Sequence, residues 1–219
     1  MAVERAIVVR DEGLVDYASA YALQLKLVEE KKHSVDTDDT LILLEHPDVY
    51  TYGRKSKEPA PLGDNVFSVE RGGEATYHNP GQLVCYPILY LGEQDRDIHL
   101  HLRRLESTLI DVLDDFGLSG ERRAGATGVW LMGREKKIAS IGVAVSGWVT
   151  FHGCALNVNN DLYGFSRIHP CGFSSEVMTS MRKELGDSCP TLAQVKASFL
   201  GHFSRHFARP RVATDLTTG

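Results

Sequence analysis

The sequence predicts one domain of mixed α and β structure (α/β or α+β), with a mixed sheet flanked by helices. Helical patterns near both ends and in the middle of the chain alternate with short apolar runs typical of strands. The 219 residues, 42% of them hydrophobic and 24% charged, suit a single globular domain. Because no repeat or linker divides the chain, we assign residues 1–210 to one domain and residues 211–219 to a polar, mobile tail.

The first half of the chain is predicted to contain one helix and several strands. Apolar residues recur with helical spacing over residues 12–32. "TLILLEH" (40–46) is a short apolar run before a proline and indicates a buried strand. "VFSVERGG" (66–73) is a second strand ending in a glycine pair, and residues 76–91 combine turn residues with a strand.

The second half is predicted to contain two helices and three consecutive strands. A helix over residues 97–116 has an apolar stripe and Gly117 as its C-cap. The last helix covers residues 191–206, with Thr191 as its N-cap. The stripe of the first of these helices consists of Ile98, Leu102, Leu105, Leu109, Val112 and Phe116. The three strands are "GVWLM", "KIASIGVAV" and "WVTFHGCALNV", which are rich in β-branched and aromatic residues.

Charge and composition exclude several classes of protein. A net charge of −5 argues against a general nucleic-acid binder. The sequence contains no run of 18 apolar residues, so no membrane-spanning helix is predicted. The N-terminus resembles neither a secretory signal nor a transit peptide. No two of the four cysteines form a C-x-x-C motif, and a chain of this size does not need a disulfide framework. A reducing compartment is therefore expected. We expect a cytoplasmic protein, or a mitochondrial one if a presequence has been removed.

Two segments combine a charged residue with small neighbours. In "RGGEATYHNPGQ", Arg71 precedes a glycine pair, and His78 lies in a turn; the alternative interpretation is a plain hairpin turn. It is not a phosphate-binding loop, because it lacks a P-loop lysine and a G-x-G-x-x-G. Lys137 precedes an apolar strand in which the small residues Ser140 and Gly142 could face a ligand. The alternative is a solvated lysine at the end of a strand.

Cys171, in "RIHPCGF", lies between a proline and a glycine rather than in an apolar run. It could be a packing residue, a metal ligand or a nucleophile, and a loop position favours a reactive thiol. Cys154, by contrast, lies within a strand and is expected to be a small core residue. His202 and His206 could share a helix face, but no third ligand follows at a recognised spacing, so no metal is expected.

Taken together and in order, these blocks resemble the octanoyltransferases of lipoate synthesis. The matching blocks are "LEHPDVYTYGR", "RGGEATYHNPGQLVCYPI", "GVWL", "KIASIGVAVSGWVTFHGCALNV" and "IHPCGF", which run from about residue 41 to 175. The resemblance implies a fold similar to the catalytic domain of biotin– and lipoate–protein ligases. It also implies transfer of an octanoyl (or lipoyl) group from acyl carrier protein to a lysine of lipoyl domains, without a cofactor.

The resemblance also assigns roles to individual residues. Cys171 corresponds to the family's cysteine nucleophile, and Lys137, not Lys136, corresponds to its essential lysine. The implied substrate-binding residues are Arg71, Gly72, Gly73, Glu74, Ala75, Thr76, Tyr77, His78, Ser140, Ile141, Gly142, Gly153, Cys154 and Ala155. The family usually has glycine where this chain has Asn79, and asparagine is the residue that best tolerates the left-handed conformation expected there.

A cysteine carrier would let the two protein substrates bind in turn, because exchange between thioesters is nearly isoenergetic. A free thiol is only a few per cent ionised at neutral pH, so an ammonium such as that of Lys137 would favour the thiolate. His78, His152 and the amides of Gly72 and Gly73 are candidates to bind the developing oxyanion. Candidate walls for the acyl chain are Tyr77, Ile141, Val143 and Ala155.

The resemblance implies acidic partners: an octanoyl-acyl carrier protein as donor, and the lipoyl domains of 2-oxoacid dehydrogenases and of the glycine cleavage H protein as acceptors. Because this chain is also acidic, a local basic surface is needed, and Arg54, Lys55 and Lys57 are the candidates. Neither nucleic acid nor a membrane is expected as a partner. The protein is expected to be a monomer. The alternatives are an ATP-dependent lipoate– or biotin–protein ligase and a non-catalytic module that binds lipoyl domains.

Overall fold

The computed structural model describes residues 5–56, 65–168, 175–207 and 211–212. Its α-helices are α1 (Tyr17–His33), α2 (Ile98–Asp115), α3 (Met181–Leu185) and α4 (Leu192–Phe207). Its strands are β1 (Ile7–Leu14), β2 (Asp39–Glu45), β3 (Val49–Tyr52), β4 (Val66–Ser68), β5 (Ala75–His78), β6 (Gln82–Ile88), β7 (Gly120–Arg123), β8 (Ala126–Leu131), β9 (Lys137–Ser146), β10 (Val149–Asn157) and β11 (Arg211–Val212).

The strands form two sheets. The larger has eight strands in the order β11-β1-β2-β6-β10-β9-β8-β7. Within it, β1 pairs in parallel with β2 and β11, and the other neighbours are antiparallel. The smaller has the order β4-β3-β5 and joins a parallel pair to an antiparallel one. The predicted mixed sheet flanked by helices is therefore confirmed, with a second small sheet added.

The two faces of the large sheet pack against different layers. On one face, α2 and α4 contribute Leu105, Leu109 and Phe199 to the main core. On the other, α1 buries Ala20 and Val28 against β6 and β10. The small sheet lies on the side of α1, because Tyr17 of α1 packs with Val49 of β3 and with Val69. A space between the two sheets follows from this arrangement.

The structure differs from the predicted elements mainly at the N-terminus. Residues 12–14 end strand β1, and α1 begins only at Tyr17, where the Asp16 side chain accepts a hydrogen bond from the Ser19 amide. The predicted helix over residues 12–32 was therefore wrong in its first turn, and β1 was missed. Leu14, which fits the helical spacing by chance, is exposed.

Most of the other predicted elements are confirmed with small corrections, but the strand predicted over residues 66–73 is confined to Val66–Ser68. Gly117 follows α2 with a φ of 76°, and the Thr191 hydroxyl accepts a hydrogen bond from the Gln194 amide at the start of α4. Ile98 is exposed rather than part of the apolar stripe. Part of the predicted mobile tail, Arg211–Val212, pairs with β1. None of the described helices combines the length and the apolar character needed to span a bilayer.

Candidate functional site

A pocket opens between the large sheet and the segment leading into the small one. It is lined by Arg71, Gly72, Gly73, Thr76, His78, Tyr86, Ser140, Ile141, Gly142, His152, Gly153, Cys154 and Ala155. Three separate blocks of the sequence thus meet in one place. Most of the residues implied by the family resemblance lie on this pocket.

Small residues on the two central strands make room for the pocket. Gly142 of β9 faces Gly153 of β10, and Ser140 faces Ala155. A Cβ at Gly153 would lie 2.1 Å from the Cys85 carbonyl oxygen, so no side chain fits there. The pocket therefore depends on a close approach of backbones that only glycine permits.

A β-bulge directs Lys137 towards the pocket side of the large sheet. Val129 pairs with Ala139, but the next residue, Trp130, pairs with Lys137, so Ile138 is the extra residue. Paired residues share a face, and Ala139 and Val129 both belong to the helix-side core. Simple alternation from Ala139 would place Lys137 on that core face. The bulge places it on the opposite face, with Trp130.

The Lys137 side chain is buried, with 1% of its surface exposed. Its ammonium donates to the Thr127 carbonyl oxygen at 2.9 Å and lies 5.7 Å from the centre of the Trp130 ring. Gly128 makes room for it, because a Cβ there would lie 2.8 Å from the lysine Cε. A solvated lysine at the end of a strand, the alternative interpretation of this position, is therefore wrong.

The predicted nucleophile, Cys171, lies outside the described residues. The chain that follows it returns to Lys137, because Met178 forms a parallel bridge with Lys137 and the Thr179 amide donates to the Lys137 carbonyl oxygen at 2.9 Å. Met178 is only seven residues after Cys171 in the sequence (178 − 171). The described structure thus anchors one end of the Cys171 segment beside the lysine.

Arg71 holds the loop that forms one wall of the pocket. Its guanidinium donates to the Thr51 carbonyl oxygen at 2.7 Å and to the Thr51 hydroxyl at 2.9 Å. The Gly72 amide donates to the Val143 carbonyl oxygen at 3.0 Å. The Gly72 amide is therefore engaged in the fold, and its predicted role as an oxyanion donor was wrong.

His78 is a neutral imidazole with a defined tautomer. Gln82 donates its amide to the Asn157 side chain at 2.8 Å, so its oxygen must accept the Nδ1–H of His78 at 2.6 Å. Burial lowers the pKa of His78 to about 3, so the ring stays neutral and its Nε2 carries a lone pair. His78 can accept a hydrogen bond there but is unsuited to donate one to an oxyanion.

His152 lies at the other end of the pocket from Lys137. It faces Val143 on β9, six residues beyond Lys137 (143 − 137) with the bulged Ile138 between them, which is roughly 15–20 Å along the strand. Burial lowers its pKa to about 4, with a smaller contribution from the Arg71 charge. The reacting carbonyl would lie at Cys171, outside the described residues, so the oxyanion role of His152 stays a prediction.

The turn at Asn79 does not need the left-handed conformation that its position suggested. Among described non-glycine residues, only Trp148 and His152 have positive φ, whereas Gly81 has a φ of 89°. The Asn79 amide instead donates to the Asp161 carbonyl oxygen at 2.9 Å. Asparagine here is an anchoring residue between two loops.

Some predicted binding residues lie elsewhere. Tyr77 packs against Phe165, and its hydroxyl donates to Asp48 at 2.8 Å. Glu74 and Ala75 are also absent from the described lining, as is Val143, which packs against the helix-side core. Tyr86, a lining residue that the sequence did not single out, donates its hydroxyl to His46 Nε2 at 2.9 Å.

The remaining candidates have structural roles. Cys154 is buried beside Cys85, with which it pairs across β10 and β6, as expected of a core residue. His202 and His206 contact Asp115 and Asp111 of α2 at 2.9 and 2.7 Å. Within the described part of the chain, no group of three or more His, Cys, Asp or Glu residues is arranged to hold a metal ion.

The fold and the site define the class of protein. Lipoate–protein ligase A bound with ATP superposes with a TM-score of 0.71 over 98% of this chain and 90% of its own, at 16% identity. The apo biotin protein ligase of Aquifex aeolicus gives a TM-score of 0.52 over 93% and 70%, at 12% identity. The fold is therefore similar to that of both kinds of ligase.

Sequence comparisons are more specific. The model of the lipoyl protein ligase A/B catalytic domain matches residues 16–204. The octanoyltransferase of Syntrophotalea carbinolica is 49% identical, over 89% of this chain and 92% of its own length. That of Thermosynechococcus vestitus is 42% identical over 93% and 92%. The chain belongs to the lipoyl protein ligase A/B catalytic domain family and, within it, groups with the octanoyltransferases.

Proposed function

We propose that this protein transfers an octanoyl group from acyl carrier protein to a lysine of lipoyl domains through a thioester on Cys171. The observation that carries the proposal is the β-bulge at Ile138, which turns the buried Lys137 towards the pocket side of the sheet. Placing a buried ammonium there has a cost in desolvation. A role in chemistry accounts for that cost better than a role in packing.

The first half of the reaction is a thioester exchange. The Cys171 thiolate attacks the octanoyl carbonyl carbon, and the pantetheine sulfur leaves as a thiolate that takes up a proton. Lys137 would favour the attacking thiolate by its charge and supply that proton. The pocket between Ser140 and Ala155 would hold the acyl chain, since each buried methylene contributes about 0.8 kcal/mol.

The second half transfers the acyl group to nitrogen. The acceptor amine attacks the enzyme thioester, the carbon–sulfur bond breaks, and an amide forms. The amine must lose a proton in this step, and Lys137, neutral after giving up its own proton, would accept it as a general base. Because Lys137 gave up its proton in the first half, one lysine would act in both halves, and Cys171 would return to its thiolate.

The relatives support this activity over an ATP-dependent ligase, the main alternative. Two proteins that share 42–49% of the sequence over nearly their full length are octanoyltransferases, whereas the ligase structures are under 20% identical and speak only for the fold. The partners are inferred from chemistry. Lipoyl domains are the acceptors expected of this family, and the carrier protein is the donor that a thioester exchange requires.

A transfer assay tests the proposal directly. The protein is incubated with octanoyl-acyl carrier protein and a lipoyl domain, with and without ATP and Mg²⁺, and octanoylation of the acceptor lysine is measured by mass spectrometry. We expect full activity without ATP and loss of at least a hundredfold in Lys137→Ala. A strict requirement for ATP with free octanoate would instead identify a ligase, and no transfer under either condition would favour the binding module.

A further inference from the structure

His152 forms one end of the pocket, and Lys137 lies on β9 beyond Ser140, in the direction of the other end. Between the two ends, the wall consists of the small and apolar side chains of Ser140–Gly142 and Gly153–Ala155. From Ala155 to His152 this wall is three residues long (155 − 152), roughly 10 Å, which is comparable to an extended octanoyl chain. The imidazole therefore lies where the methyl end of a bound acyl group would arrive.

Packing fixes the His152 ring on several sides. It is stacked on Tyr21 of α1, with ring centres 5.6 Å apart and an angle of 12° between the planes. Tyr86 meets it edge-on at 6.4 Å, and Phe151 lies at 4.8 Å. Because of these contacts, the ring cannot swing aside to lengthen the pocket without disturbing α1.

The backbone at His152 is held in an unfavourable conformation. Its φ is 54°, inside an otherwise regular strand pairing with β9. The His152 amide donates to the Gln24 side-chain oxygen at 2.7 Å, which stabilises this conformation. Strain of this kind persists where the surrounding structure fixes it, often at functional sites. Here it fixes the direction of the imidazole.

Two buried polar atoms mark the same pocket. His152 Nε2 and Thr76 Oγ1 have no hydrogen-bond partner within the described residues, although their side chains are 1% and 7% exposed. A Glu70 carboxylate oxygen lies 3.8 Å from Nε2. A hydrocarbon chain that reached these atoms would exclude water from them, which is unfavourable.

We propose that His152 is the specificity-determining residue of the acyl pocket, ending it at the length of an octanoyl chain and disfavouring longer acyl groups. This inference rests on the proposed octanoyl transfer. A longer chain would meet both the fixed imidazole and its unpartnered nitrogen. A shorter chain would leave apolar surface of the pocket uncovered.

Replacing His152 by glycine tests this with little backbone strain, because glycine adopts the φ of 54° readily. The space of the ring then adds to the pocket, bounded by Tyr21 and Phe151. Initial rates are measured with acyl carrier proteins loaded with chains of six to twelve carbons. We expect kcat/KM for the ten-carbon chain relative to octanoyl to rise about tenfold or more, as expected for a methylene-scale change in a binding pocket.

Two further variants separate specificity from stability. In His152→Asn, asparagine also tolerates the positive φ, and the ratio of kcat/KM for the ten-carbon chain to that for octanoyl should rise as well. This variant replaces His152→Gly if the glycine protein folds poorly. Tyr21→Phe keeps the stacked ring but removes the 2.6 Å hydrogen bond to Glu70, and should leave the ratio unchanged. A His152 variant that loses activity equally for all chain lengths would overturn the inference. Absence of transfer by the unmodified protein would instead overturn the proposed function.

Discussion

At the scale of single residues, Gly128 makes room for the Lys137 side chain on which the proposed reaction depends. Its φ is 125°, a region open essentially to glycine alone. Its missing side chain leaves space for two neighbours, since a Cβ would lie 2.5 Å from the Ala139 carbonyl oxygen and 2.8 Å from Lys137 Cε. The glycine of "GVWL" thus positions the lysine of "KIASIG".

Gly128→Ala should therefore reduce kcat at least tenfold per folded molecule, because the Lys137 side chain must move from its place against Trp130. The matched control is Gly125→Ala. Its φ is 75°, so an alanine there is also strained, by about 1–2 kcal/mol, but its Cβ would meet no atom within 4 Å. Folded fractions are determined by urea titration and rates are scaled to them. Equal rates for the two variants would show that Gly128 does not position the lysine.

The residues of the pocket wall were predictable from the sequence, because small residues in strands are a local property. The roles of the histidines were not. Whether His78 donates or accepts at Nε2 depends on the Gln82 amide, whose own orientation is fixed by Asn157. Such roles arise from contacts between distant segments and leave no pattern in the sequence.

At the scale of elements, the turn after β3 connects a basic surface to the pocket. The Arg54 amide donates to the Arg71 carbonyl oxygen at 3.1 Å, and the Lys55 amide donates to that of Gly73 at 3.0 Å. Both side chains are exposed. The third predicted member of the cluster, Lys57, lies outside the described residues. The turn thus carries two cations on the loop that lines the pocket.

The double variant Arg54→Glu/Lys55→Glu should raise KM for the acidic carrier protein several-fold, with little change in kcat. The difference should fade as salt rises, because exposed charges are screened over about 8–10 Å at physiological ionic strength. Arg205→Glu on α4, on the opposite face of the sheet, is the control for a charge reversal away from the pocket. A similar loss with a short pantetheine thioester, which lacks the carrier protein, would mean that the turn supports the pocket rather than docking.

Elements were predicted well wherever one face of a pattern is buried. β9 and β10 were identified by their β-branched and aromatic residues, and α4 by its apolar face and cap. The bulge at Ile138 was not predictable, because it depends on pairing with β8. Strand β1 was missed because the apolar spacing of α1 happens to extend into it.

At the scale of the whole molecule, four buried histidines link stability to pH. Burial lowers the pKa of His46, His101 and His152 to about 4 and that of His78 to about 3. In the unfolded chain the value is near 6.5, so only the unfolded state takes up protons as the pH falls below that. The free energy of unfolding is therefore highest above about pH 6.5 and decreases as the pH falls towards 4.

At pH 5, each of these histidines should lower the free energy of unfolding by about 2 kcal/mol relative to pH 8. His101 offers the cleanest test, since neither of its ring nitrogens has a hydrogen-bond partner in the described part of the protein. His101→Leu should raise the free energy of unfolding, and by more at pH 5 than at pH 8. His99 is exposed, and His99→Gln should leave the free energy of unfolding unchanged at both pH values. Urea unfolding at both pH values measures this, and an equal effect of His101→Leu at each would contradict it.

The central claim is that the acyl group passes through Cys171 with the help of Lys137. Intact-mass analysis after incubation with octanoyl-acyl carrier protein, but without acceptor, tests it most directly. We expect one octanoyl adduct that hydroxylamine removes, that peptide mapping places on Cys171, and that is absent from Cys171→Ser and slow to form in Lys137→Ala. An octanoyl transfer that proceeds in Cys171→Ser, or an adduct on Cys85, Cys154 or Cys189 instead, would contradict the claim.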